Sequence, residues 1–60
     1  MLTYLIFWAP EGRAVARVTT KDAAAAKRLT PQPYRKFMGE VYVMLESEYV
    51  EQYGTSPRIW

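Results

Sequence analysis

The stretch Pro33-Tyr34-Arg35-Lys36-Phe37-Met38-Gly39-Glu40-Val41-Tyr42-Val43-Met44-Leu45-Glu46-Ser47-Glu48-Tyr49-Val50-Glu51-Gln52-Tyr53 decides how the chain folds, and it holds four of the five tyrosines. Wound as a helix of about 3.6 residues per turn, it places Tyr34, Phe37, Met38, Val41, Tyr42, Met44, Leu45, Tyr49 and Tyr53 over about half the circumference. Both ends suit that reading. Pro33 is harmless in a first turn, whose amides lack intrahelical partners, and Gly54 fits the left-handed residue that closes a helix, with Pro57 beyond it. These signals predict one long helix over about 33–53. A rival lies inside it: Val41-Tyr42-Val43-Met44-Leu45 is a continuous apolar run after Gly39, the pattern of a buried third strand over about 40–46.

On a single helix the charges oppose the dipole. Arg35 and Lys36 sit at its positive start and Glu46, Glu48 and Glu51 towards its negative end, each exposed placement costing about 0.3–1 kcal/mol. Two arrangements relieve this. In an antiparallel dimer, Arg35 and Lys36 of one chain meet Glu48 and Glu51 of the other. Within one chain, the carboxylates pair with Arg13, Arg17 or Lys27.

Upstream, residues 2–8 are rich in β-branched and aromatic types, and 13–19 alternate in polarity. Ala9-Pro10-Glu11-Gly12 between them is a turn, since Pro presets the first central φ and Gly takes a left-handed position. A three-residue loop pairs Trp8 with Ala14, Ile6 with Ala16 and Tyr4 with Val18. Leu5, Phe7 and Val15 then share the other side with Arg17, and Thr3 lies opposite Thr19. The first strand is apolar on both faces, which an exposed hairpin strand is not. Its second face is therefore either covered by the chain or an interface.

A short helix over about 20–29 follows. Thr19 or Thr20 caps it, Asp22 suits its first turn, Ala23 to Ala26 favour it, and Lys27 and Arg28 complement its last turn. Thr30-Pro31-Gln32-Pro33 ends it. The expected fold is α+β of ββαα order: an antiparallel hairpin (about 2–8 and 13–19) packed on a short helix (about 20–29) and a long one (about 33–53), in a single small domain.

Sixty residues bury only about 60% of their unfolded surface, so folds of this size often need a staple. With no cysteine and no histidine, a disulfide is excluded and neither a zinc site nor the usual nucleophile–base pairs are expected. Glu40, Glu46, Glu48 and Glu51 read as a solvated face, not as paired catalytic acids. No catalysis, metal or cofactor is expected, and the three glycines are too scattered to form a phosphate loop. No apolar run is long enough to cross a membrane. Residues 1–8 lack the basic stretch of a secretory leader, so a cytoplasmic protein is the expectation.

What remains is binding. The expected function is a small protein-binding or regulatory module acting as a homodimer, its interface drawn from Leu5, Phe7, Val15, Arg17, Val43, Val50 and Trp60. An apolar patch rimmed by Arg and ending in a Trp is the composition of protein interfaces. The alternative is a nucleic-acid-binding protein. Residues 1–36 carry seven Lys or Arg against two acids, net +5, while 37–60 carry one against four, net −3. Lys27, Arg28, Arg35 and Lys36 fall at one helix–helix joint, where they would clamp phosphates, with Arg13 and Arg17 on the hairpin beside them.

Overall fold

Residues 1–59 are described by the computed structural model; Trp60, and the interface role expected of it, lie outside the described residues. The strand β1 (Leu2–Trp8) runs through the middle of the molecule. It pairs antiparallel with β2 (Arg13–Thr20) along one edge and with β3 (Val41–Leu45) along the other, giving the sheet order β2-β1-β3. Between β2 and β3 come α1 (Ala23–Arg28) and a 3-10 segment (Gln32–Glu40), and α2 (Glu46–Tyr53) follows β3 directly. The fold is α+β.

The single long helix expected over 33–53 does not form; the rival strand does. Its backbone finds better partners in β1, with Tyr4 opposite Leu45, Ile6 opposite Val43 and Trp8 opposite Val41. A helix there would have left the second edge of an apolar strand unpaired, and buried unpaired backbone groups are costly. The segment ahead of the strand reaches only a 3-10 conformation, broken at Phe37 (φ −121°, ψ 38°). Helix returns at Glu46, so Glu46 and Glu48 lie in the first turn of α2. There the dipole favours these two, whereas Glu51 stays in the last turn, at the negative end. Gly54 closes α2 in the left-handed conformation (φ 82°), its N–H donating to the Val50 carbonyl at 2.7 Å.

The hairpin departs from the expected register only near its tip. Four residues, Ala9 to Gly12, form the loop; Gly12 takes φ 63° and donates to the Trp8 carbonyl at 2.9 Å. Trp8 consequently faces Arg13 and Phe7 faces Ala14, and a bulge between Ile6 and Phe7 restores the expected pairs Ile6–Ala16 and Tyr4–Val18. The extra residue is Val15. It packs with Ile6 and Val41, on the side of the sheet opposite Leu5 and Phe7. Asp22, not Thr19 or Thr20, caps α1, its Oδ1 accepting from the Ala25 N–H at 2.8 Å, because β2 runs on through Thr20.

Each face of the sheet has its own cover. On one, Met44, Tyr49 of α2 and Ile59 of the tail pack on Leu5, Phe7 and Ala14. On the other, Tyr34 of the 3-10 segment packs with Trp8, Val18 and Val43 around Ile6, Val15 and Val41, and α1 crosses all three strands. Ile59 also bridges Ala14 at the outer edge of β2. The two-faced apolar strand is thus covered by its own chain.

Leu5 is fully buried and Leu2, on the same strand, is 51% exposed. Leu5→Ala is expected to cost about 2–5 kcal/mol, a large part of the roughly 3–9 kcal/mol available to a domain this small. Leu2→Ala is expected to cost under about 0.5 kcal/mol. Urea unfolding of the two variants checks the contrast.

Candidate functional site

Arg17 projects from β2 beside Leu5, on the side covered by α2. Its Nε donates to Glu46 Oε2 at 2.6 Å, and its Nη2 donates to Ser56 Oγ at 2.9 Å and the Pro57 carbonyl at 3.4 Å. The Ser56 hydroxyl donates to the same Glu46 oxygen. One guanidinium therefore ties β2, the start of α2 and the tail together. The Ser56 hydrogen bond, then that from Arg17, holds the Glu46 carboxyl below its ordinary value of 4.5. Arg17 is committed to the fold.

A carboxyl whose pKa is lowered by folding stabilises the fold above its unfolded value. That stabilisation disappears as pH falls through the lowered folded value. Wild type is accordingly expected to lose stability on acidification below about pH 4.5, and Glu46→Gln to be less stable than wild type near neutrality. The gap between the two should close at the acid end of a pH series of thermal melts.

Arg13 also serves the fold. Its Nη2 donates to the Tyr34 hydroxyl at 3.1 Å, joining the hairpin tip to the 3-10 segment. Its Nε lies 3.1 Å from Glu11 Oε1, an ion pair without hydrogen-bond alignment. Arg35 donates from Nε to the Thr30 carbonyl at 2.9 Å, and the buried Thr30 hydroxyl donates to the Lys27 carbonyl. These bonds bring Arg35 to the end of α1, beside Lys27 and Arg28. Lys36 lies with Nζ 5.5 Å from the centre of the Phe37 ring. The joint expected from the sequence is thus assembled, although a 3-10 segment supplies its second half.

Charge divides by side. The stretch from Lys21 to Glu40, which includes α1 and the 3-10 segment, carries five Lys or Arg against Asp22 and Glu40. Helix α2 carries Glu46, Glu48 and Glu51 and no cation. The ion pairs among the described residues involve Arg13 and Arg17, and none includes Lys21, Lys27, Arg28, Arg35, Lys36, Glu48 or Glu51. The imbalance along the chain becomes a separation of charge across the sheet.

The apolar interface expected on the hairpin is not at the surface. Leu5 and Phe7 are buried under α2 and the tail, Val15 is buried on the opposite side through the bulge, and Val43 is half-buried beside it. Covered by their own chain, Leu5, Phe7 and Val15 expose almost no surface. Val50 is exposed, and it lines a groove of about 510 Å³ where α2 leaves β3 beside the start of β1. Met1, Leu2 and Leu45 line the same groove, with Ser47, Glu46 and Glu51 on its walls. Met1 is 93% exposed, Leu2 51% and Val50 38%. Met1 and Leu2 escaped the sequence reading because only β3 brings the start of β1 next to α2.

Aromatic rings pack against one another on both sides of the sheet. Tyr42 stacks on Phe7 at 5.1 Å and Tyr49 on Phe7 at 5.8 Å, and Phe37 meets Trp8 edge-on at 5.5 Å. A second hollow of about 530 Å³ opens between the hairpin tip and the tail, over Phe7 and Ala14 and beside Arg13 and Arg58. Among the described residues no group of acidic side chains converges as a metal site, and no helix is long and apolar enough to cross a membrane. Comparison with family models, curated proteins and solved structures yields no match.

Proposed function

We propose that the protein is a small non-catalytic binding module, regulatory in character, that docks a partner protein in the groove between the start of β1 and α2. One observation carries this reading: Met1, Leu2 and Val50, three of the seven exposed large apolar side chains among the described residues, converge on a single groove. Clustered apolar exposure on a small protein marks an interaction surface. Glu51 on the wall and Glu48 nearby on α2, neither used by Arg17 as Glu46 is, call for a partner segment that combines apolar and basic residues. The absence of cysteine, in a fold too small to do easily without staples, supports a cytoplasmic setting.

An array of synthetic peptides tests the groove. Segments rich in Leu, Met, Lys and Arg are expected to bind, and acidic segments to fail. Val50→Glu and Leu2→Glu should each abolish that binding with unchanged circular dichroism. Binding that survives both substitutions overturns the reading.

A second reading is supported by the cations that meet no carboxylate. Lys27, Arg28, Arg35 and Lys36 lie at the end of α1 and in the 3-10 segment, with Lys21 ahead of the start of α1, and the four at the joint are a suitable cradle for a phosphate backbone. Arg13 and Arg17 drop out of it, since their guanidinium groups are already engaged. If four phosphates of a single strand are neutralised, log affinity for a labelled oligonucleotide falls with log salt at a slope of about −3. Lys27→Glu with Arg28→Glu should abolish the anisotropy change, and no change at low salt removes this reading.

A further inference from the structure

We propose that the groove's partner is a second copy of this chain, which inserts the end of its α1. Leu29, 49% exposed at the C-terminus of α1, is the apolar side chain that seats in the groove. Lys27 and Arg28, immediately before it, lie against Glu48 and Glu51 of the receiving copy. This inference rests on the groove being a docking site, as proposed above.

Charge selects the partner. Helix α2 presents carboxylates and no cation, and Glu46 alone among them is used within the chain, by Arg17. The end of α1 presents the reverse: cations with no ion pair among the described residues, beside an exposed leucine. Each surface has what the other lacks. The two also lie on opposite sides of the sheet, so one molecule cannot bring them together.

The same division sets the geometry. A two-fold dimer through either surface would place like charges face to face, groove on groove or cation on cation. Head-to-tail contact places each surface on its complement and leaves one of each kind free at the ends. Such a contact does not close on itself unless it forms a ring, so association is open-ended. The whole chain exposes 4043 Å², and a contact of standard size takes about 800 Å² from each partner. An inner copy would give up about two-fifths of its surface to two such contacts. The contact is therefore at the small, weak end of the range, and association is expected at high micromolar concentrations.

Charge exchange tests this directly. In sedimentation, the average mass of wild type is expected to rise with concentration and to return to the monomer value in strong salt. Glu48→Lys with Glu51→Lys, and separately Lys27→Glu with Arg28→Glu, should each give a monomer at every concentration, because both surfaces of one molecule then carry one sign. Mixed in equal amounts, the two variants should associate again, since every contact between them is complementary. Leu29→Ser should weaken wild-type association at least tenfold. A mixture that stays monomeric while wild type associates overturns the head-to-tail arrangement. Wild type that is monomeric throughout overturns self-association, and peptide binding that is still lost on Val50→Glu then keeps the groove as a site for a different protein. Loss of both assigns the failure to the groove itself.

Discussion

The pairing of Val41–Leu45 with Tyr4–Trp8 is the interaction on which everything else depends. A strand that is apolar on both faces is stable only if both edges are hydrogen-bonded and both faces are covered. β2 satisfies one edge by hairpin geometry alone. β3 satisfies the other, and because β2 and β3 are both antiparallel to β1, the chain between them must cross one face of the sheet. α1 and the 3-10 segment make that crossing. Immediately after β3 the chain turns onto the opposite face as α2, so one pairing assigns cover to both faces. The cost of missing it would be a domain with half a core.

With so little interior, polar side chains hold the covers in place. Arg17 does so for the α2 side by binding Glu46, Ser56 and Pro57. Arg13 and Arg35 do so for the other side, through Tyr34 and the Thr30 carbonyl. All three are partly exposed, where an isolated ion pair contributes little. Their value lies in joining segments that the two small apolar clusters only partly hold. It also engages Arg13, Arg17 and Glu46, leaving the cations of α1 and Glu48 and Glu51 of α2 outside the ion pairs among the described residues.

Much of this was legible in the residues. Pro10 and Gly12 mark the hairpin, the alanine run with Lys27 and Arg28 marks α1, and Gly54 marks the end of α2. The pairs Ile6–Ala16, Tyr4–Val18 and Thr3–Thr19, expected from a three-residue loop, hold because the bulge offsets the extra loop residue. The basic joint was legible too, because its residues are close in sequence. Two things were not. Val15 changes sides through a bulge, and a bulge follows from loop length, which Ala9-Pro10-Glu11-Gly12 does not specify. The groove of Met1, Leu2 and Val50 joins opposite ends of the chain and has no local signal at all.

The stretch 33–53 separates the two kinds of information. By itself the sequence determined its punctuation, its apolar content and the sign of its charges, since those depend on side chains and near neighbours. Only the tertiary structure decided that 41–45 is a strand. A five-residue apolar run satisfies a helical face and a buried strand equally well. The choice is made by a hydrogen-bonding partner outside the run, the open edge of β1. That partner also moves the start of the helix to Glu46, turning two misplaced charges, Glu46 and Glu48, into well-placed ones, and it brings Leu2 beside Val50.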